Sequence, residues 1–434
     1  MAVELTNWAG NFVYGAERVH RPGSVEGVRA VVAGLASGGA RGGGLARLKA
    51  LGTRHSFNHV ADSEGGDLIS VDRLNRVLSL DRERGRVTIE GGVRYGELCR
   101  YLAAEGLAVA NLASLPHISV AGAAATATHG SGDANPNLAA AVAGLEIVTA
   151  SGAPVTLTRE ADGDALAGAV VGLGALGIVT KLTLEVVPAF TVRQDVYRNL
   201  PLETLEANFD AVTGGGYSVS LFTDWAAPRF TQVWRKRRVD SPEDAAAPAE
   251  PEWFGAALAA RDLHPIEEIS AENCTPQCGV PGPSHERLPH FRLEYTPSSG
   301  AELQTEYLIP RQHALPALRA VAALGETIAP LLWVSEVRTV AADDLWLSPC
   351  YRQACVAIHF TWKPDGPGVS ALLPALDERL APFDARPHWG KLFATPPERI
   401  AALYPRLSDF RALAARLDPG GTFRNAFLDD CVLG

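Results

Sequence analysis

The stretch from Asn111 to Gly132, N-L-A-S-L-P-H-I-S-V-A-G-A-A-A-T-A-T-H-G-S-G, constrains this chain most. Between Ser119 and Ala134 nearly every residue is Ala, Gly, Ser, Thr, Val or His, and none is large. A packed core needs bulk to reach native density. A run of small side chains instead lets something else approach the backbone closely. Free backbone N–H groups with Ser and Thr hydroxyls make a cradle for an anionic pyrophosphate. The alternative is two helices or strands in close contact.

A second stretch, Lys49 to Asn58, reads K-A-L-G-T-R-H-S-F-N. Its apolar lead-in ends at a tight Gly52-Thr53 turn, which presents His55 and Ser56 just past a buried strand. Loops on strand ends usually carry reactive groups; taken alone, this one also reads as an exposed turn histidine. A third, Gly172 to Gly177, matches G-x-G-x-x-G. A dinucleotide site of the Rossmann type needs that motif after a strand and before a helix. Here the order is reversed, so that fold is rejected.

At 434 residues the chain is too long for one core, and two or three domains are expected. A net charge of −10 argues against nucleic acid or an anionic membrane as partner. The one basic run, Arg235 to Arg238, lies beside Asp240 and Glu243 and reads as a solvated face. The N-terminus lacks a basic n-region and an apolar h-region, and no apolar run reaches membrane-spanning length. Six cysteines are too sparse for a disulfide scaffold. Cys274-x3-Cys278 and Cys350-x4-Cys355 lack the spacing and histidine partners of a zinc site. The expectation is a cytoplasmic monomer with reduced thiols and no metal.

Periodicity predicts a helix within residues 18–35, preceded by Pro22 and capped by Ser24, then a Gly-rich loop over 37–44. Strands are predicted over 67–71, 76–81 and 86–90, and a helix over 95–106. A hairpin of 145–149 and 155–158, a helix over 165–171 and a strand over 178–187 follow. After Pro188 the residues alternate as half-buried antiparallel strands at 192–197, 217–224, 230–237, 291–295, 331–340 and 355–362. Helices are expected at 314–327 and 369–380. Residues 241–268, rich in Pro, Ala and acid, read as a surface excursion. The end is read as a helix over 397–417 and a strand-like 422–428.

Charges sit inside apolar strands. In L-L-W-V-S-E-V-R-T-V, Glu336 and Arg338 share a face with Leu332, Val334 and Val340. Buried charges are costly unless paired. They are either a self-neutralising structural pair or a polar floor for a hydroxylated ligand. His359 lies in the middle of C-V-A-I-H-F-T-W, and R-P-H-W-G-K places His388 and Lys391 beside Trp389 and Gly390. Buried lysine is rare. Three such features in one region favour a site over separate accidents.

Together these residues resemble the vanillyl-alcohol-oxidase family, and within it the alditol oxidases. The resemblance runs from T-N-W-A-G-N (Thr6 to Asn11) to Asn425. It includes the His55 turn, S-L-P-H-I-S-V-A-G, T-H-G-S-G, Y-S-V-S-L-F-T-D-W, V-P-G-P-x-H-E-R-L-P-H-F, S-E-V-R-T-V-A-A-D, H-F-T-W and R-P-H-W-G-K. It implies an α+β chain in three parts: a two-part FAD-binding domain (1–187), a substrate domain with an antiparallel sheet flanked by helices (188–395), and a C-terminal segment (396–434) packing back near the flavin.

The resemblance also implies FAD joined covalently to His55, with Gly52, Thr53, Arg54 and Ser56 beside it. Ser114, Ser119, Gly122, Thr126, Thr128, His129 and Gly130 would hold ring and pyrophosphate. Ile178 or Val179 would close over the adenine, with His388 also on the cofactor side. Glu336, Arg338, His359 and Lys391 would meet a polyol, and Ser114 would reach both flavin and substrate. Arg54 departs from the glycine expected there. The implied reaction oxidises the primary alcohol of a sugar alcohol with O2, giving an aldose and H2O2; His359 is the expected base. An aldonolactone oxidase on the same scaffold is the rival.

Overall fold

The computed structural model describes residues 5–38, 47–295 and 301–434. Leu48–Leu51, Asp67–Ser70 and Arg18–His20 form a parallel sheet with Asp67–Ser70 in the middle. The helix Val25–Gly38 packs on it through Val28 and Val32, which are buried with Leu48 and Ile69. Ser24 Oγ accepts from Gly27 N, 3.1 Å away, so the predicted cap is in place. Residues 18–20, ahead of Pro22, form a strand. Proline removes a helical donor and disfavours helical backbone before it, so Pro22 separates the two. Of the predicted 37–44 loop, Ser37 and Gly38 close this helix; the rest lies outside the described residues.

Val77–Asp81, Arg86–Glu90, Ile178–Glu185, Val142–Val148 and Pro154–Thr158 form an antiparallel sheet in that order. Residues along Ile178–Glu185 alternate buried and half-buried, the period of a strand with one face on a core. Gly177 opens this strand at φ +138°, and a Cβ there would lie 2.4 Å from Val148 O. Only glycine admits that turn.

After Pro188 the chain builds a larger antiparallel sheet. Its order is Glu252–Trp253, Ala256–Leu258, Thr191–Pro201, Arg229–Val239, Ser218–Thr223, Leu332–Val340, Cys355–Trp362, Leu303–Pro310, Arg386–Pro387. One face carries the helices Leu202–Thr213, Ala314–Ala322 and Gly366–Leu380. These pack on Leu221, Val337, Ile358 and Tyr307. The opposite face carries the alternate residues and is stitched to the small-residue stretch. Gly132 N donates to Thr339 O (2.9 Å) and Ala341 N to Asn135 O (3.0 Å). The C-terminal segment returns to the first sheet, where Leu48 N donates to Thr422 O (2.8 Å) and Asn425 Nδ2 donates to Asp62 O (2.8 Å). Among the described residues, no single helix is long and apolar enough to cross a membrane.

The structure corrects several expectations. Residues 291–295 form no strand; Phe291 makes an isolated bridge to Cys274. The strand Leu303–Pro310, not predicted, takes the neighbouring place. The predicted 314–327 helix breaks between Ala322 and Gly325. The 397–417 helix is two, Pro397–Leu403 and Leu407–Leu417, divided where Pro405 cannot donate. Residues 422–428 end in a short helix capped by Asn425 rather than a strand. The 241–268 excursion supplies two edge strands and buries Trp253. The basic run is a solvated face only in part: Arg238 is exposed, but Lys236 is 0 % exposed and Arg235 lies over the Trp253 ring at 4.7 Å.

Candidate active site

A cleft runs between the parallel sheet, the five-stranded antiparallel sheet and the large sheet. Its inner arm begins where Leu48–Leu51 ends. Arg54 holds φ +64°, a conformation that favours glycine, the residue expected there from the resemblance. Its guanidinium turns aside to donate to Thr6 O (2.8 Å). That turn aims His55 into the cleft, stacked on Trp8 with ring centroids 5.2 Å apart. His55 Nδ1 is buried without a hydrogen-bond partner, and burial lowers the imidazole's pKa to about 4. A buried polar atom left unpaired calls for an explanation.

The small-residue stretch forms the next wall. Ser119 N donates to Thr53 Oγ1 (3.3 Å) and precedes the short helix Val120–Ala125. A Cβ on Gly52 or Gly122 would lie 3.2 or 2.8 Å from Ser119 Oγ, so both glycines keep the wall open. Thr126 Oγ1 and Thr128 Oγ1 are 3.2 Å apart on the same surface. Gly172, Gly174 and Gly177, rejected as a Rossmann motif, line this arm, with Val179 beyond them. Lys49 Nζ fixes that turn by donating to Leu173 O (3.1 Å), Gly174 O (3.0 Å) and Phe423 O (3.2 Å). Two predicted residues are displaced. Ile178 is 0 % exposed in the core with Val148, and Gly130 packs on Asn111 and the Leu112 carbonyl instead of lining the cleft.

The outer arm ends on the large sheet. Cross-strand register pairs Glu336 with His359 and His359 with Glu306, and His388 N donates to Glu306 O (2.9 Å). These side chains therefore share one face. Glu306, which the sequence reading missed, is the centre. It is 1 % exposed and accepts from Lys391 Nζ and Arg338 Nη2, each at 2.6 Å. His129 Nε2 lies 3.3 Å from it. Glu336 accepts from His290 Nε2 at 2.8 Å, while Arg338 Nε stands 3.6 Å away. Glu336 and Arg338 are thus not a self-contained pair but parts of a network across five segments of the chain.

Burial opposes the charge on Glu306. Lys391 and Arg338 beside it nevertheless hold the carboxyl well below the usual range. Glu336 is likewise buried yet held low by Arg338 and His290. Burial and the Lys391 ammonium push His359 and His388 well below the ordinary imidazole value, so both are neutral. Burial also lowers Lys391, against the pull of Glu306. Lys391 Nζ lies 2.8 Å from His359 Nδ1, and His359 Nε2 is 3.0 Å from Thr361 Oγ1. An ammonium only donates, so Nδ1 accepts and Nε2 carries the hydrogen.

The two arms are held in register by the chain itself. Asn58 Nδ2 donates to Trp389 O and Lys391 O, both at 2.8 Å, and Phe57 N donates to Gly390 O (2.8 Å). The turn carrying His55 thereby grips the turn carrying Lys391. Ser114, between the arms, receives a long contact from Arg338 Nη1 at 3.5 Å. Gln304, Thr361, Phe222 and His290 also line this end. The signal for Glu306 was the one used for Glu336, a charge inside an apolar alternation, in L-Q-T-E-Y-L-I.

Comparison with known proteins agrees with this geometry. The profile of an FAD binding domain matches residues 16–158, and that of D-arabinono-1,4-lactone oxidase matches residues 301–431. An alditol oxidase of Streptomyces sp. (strain IKD472 / FERM P-14339) is 51% identical over 436 residues, 100% of both chains. An L-gulono-1,4-lactone dehydrogenase of Mycobacterium tuberculosis is 29% identical over 97% of each chain. An L-gulonolactone oxidase of Bos taurus is 27% identical over 98% of each. The solved structure of a solvent-stable cholesterol oxidase has the same fold, with TM-score 0.77 at 16% identity, over 98% of this chain and 96% of that one.

Proposed function

The chain belongs to the alditol oxidase family of FAD-dependent oxidases, and from that premise we propose that it oxidises the primary alcohol of a sugar alcohol such as xylitol or sorbitol, yielding an aldose and H2O2. One observation carries this reading. The cleft that begins at His55 ends on a floor of two cations and two carboxylates, Arg338, Lys391, Glu306 and Glu336. Such a floor suits a ligand with hydroxyls along its length and should reject simple alkanols by several kcal/mol.

The inner arm fits FAD by its chemistry. It offers an unpaired buried nitrogen at His55, glycines whose Cβ atoms would fill the wall, and paired threonine hydroxyls. FAD, when bound, supplies a two-electron acceptor that O2 can reoxidise. His55 Nδ1 is the atom proposed to carry the covalent bond. Denatured, acid-precipitated protein is then expected to stay yellow. His55→Ala should lose that bound colour while keeping a folded far-ultraviolet dichroism spectrum; a colourless wild-type pellet overturns the covalent assignment.

An alcohol is a very weak acid, so cations held near the reacting oxygen contribute most. Lys391 and Arg338 are prearranged for that by Glu306. Lys391 turning one N–H from His359 Nδ1 to the substrate oxygen frees a lone pair on the imidazole, and His359 takes the hydroxyl proton there. Glu336 accepts from further hydroxyls of the polyol, and Thr361 holds the far side of His359.

The lactone reading has behind it the D-arabinono-1,4-lactone oxidase profile over residues 301–431 and the more distant gulonolactone relatives. Anaerobic bleaching of the flavin by a panel of xylitol, sorbitol, gulono-lactone and arabinono-lactone separates the two. Bleaching by polyols at lower concentration than by lactones is expected. The reverse order would replace the polyol assignment.

A further inference from the structure

The basic run Arg235 to Arg238 sends one member inward. Lys236 is on the strand Arg229–Val239, 0 % exposed, on the face that carries the site. Its Nζ donates to Leu288 O (2.5 Å) and Pro289 O (3.3 Å) and lies 3.1 Å from His290 Nδ1. Among the described residues, no carboxylate bonds it directly. His290 reaches on to Glu336 through Nε2 at 2.8 Å, and the rings of Phe222 and Trp234 hold the imidazole at centroid distances of 5.6 and 5.1 Å. A lysine, a histidine and a glutamate therefore stand in a line ending in the proposed substrate pocket.

Counting protons orders that line. An ammonium has three donors and no acceptor. Two go to carbonyls, and the third meets Nδ1, which must then present a lone pair. The imidazole hydrogen is left on Nε2, where it donates to Glu336. Were Lys236 neutral, with its two hydrogens on the carbonyls, Nδ1 would carry the hydrogen. A bare Nε2 would then face a carboxylate. We propose that Lys236 is a positioning residue for the polyol site, its ammonium holding His290 in the Nε2–H form that anchors Glu336. This rests on the polyol reading above.

The groups facing the dyad set where it responds to pH. Burial lowers Lys236 to about 7 against the pull of Glu336, with Cys274 and Arg338 also near. Burial, Lys236 and Arg338 hold His290 down to about 4 against the pull of Glu336. Lys236 thus loses its proton first on the alkaline side, and the anchor on Glu336 is lost with it.

The test uses full-length, FAD-loaded enzyme and anaerobic flavin bleaching by xylitol, read as Kd and limiting rate. Lys236→Met is expected to raise Kd about tenfold, the size of one hydrogen bond to a charged group, with bound flavin unchanged and the limiting rate less affected. His290→Gln weakens Kd a few-fold by itself, because its amide still donates to Glu336 whatever Lys236 does. Adding Lys236→Met to His290→Gln should then change nothing further; additive losses overturn the proposal. Wild-type Kd should rise above about pH 7, and His290→Gln should lack that limb, which decides the matter if Lys236→Met does not fold. Nitrogen chemical shifts of the His290 ring give a readout free of substrate: Nε2–H in wild type, displaced toward Nδ1–H in Lys236→Met. An unchanged tautomer sinks the role of Lys236, whereas failure of every polyol to bleach the wild type sinks only the polyol reading.

Discussion

Lys391→Met is expected to lower kcat/KM for a polyol by about 10²- to 10³-fold, the cost of removing one prearranged charge from a site where an alkoxide develops. Flavin content should stay near that of the wild type. Lys391 touches Glu306 and His359 in the outer arm, whereas His55 and its wall belong to the inner one. Methionine keeps the apolar stem and removes only the ammonium. Loss of the ammonium also frees His359 Nδ1, whose pKa should rise toward its ordinary value. The acid limb of kcat/KM should therefore move to higher pH. Turnover within threefold of wild type, measured by peroxide release, would remove Lys391 from the chemistry.

Glu306→Gln is expected to be the most damaging single change to stability in the outer arm. It is nearly isosteric, yet it strips the shared counter-charge from Lys391 and Arg338, both in contact with Glu306 at 2.6 Å. Breaking a buried pair by removing one partner costs about 3–5 kcal/mol. The thermal midpoint should fall, and turnover should fall with it because neither cation is held in place. The sign with pH follows. The carboxyl of Glu306 is held low in the fold, so its contribution is present above the ordinary carboxylate value and is lost as pH falls below it. His290, His359 and His388 add to the same trend, since they stay neutral when folded and take protons when unfolded below about pH 6.5. Wild-type stability should thus decline steadily below about pH 6.5. A Glu306→Gln protein as stable as wild type at pH 7.5 would show that the two cations are balanced elsewhere.

Much of this was legible in the residues. The period-two alternation placed most of the long strands of the large sheet, though not Leu303–Pro310; helical spacing placed the buried face of Val25–Gly38, and polar residues inside apolar strands marked Glu336, Arg338 and His359. The small-residue stretch from Ser119 to Ala134 supplies one wall of the cleft through Ser119, Gly122, Thr126 and Thr128. Glu306 and Lys236 were missed for a shared reason. Each was set in a segment whose composition read as something else, an unassigned stretch for one and a charged surface run for the other. The glycines of Gly172 to Gly177 failed as a Rossmann motif and still line the cleft, because close approach to a ligand depends on where a turn is placed and not on its motif.

By itself the chain's sequence determined its family, the alternation of its strands and the chemical kinds of group available to a site. Only the tertiary structure decided which of those groups meet. Register between strands far apart in sequence puts Glu306 between Arg338 and Lys391, and the grip of Asn58 on the Lys391 turn sets the distance between the two arms. Side-chain periodicity is local, while pairing register and the desolvation of a charge are settled only when remote segments pack.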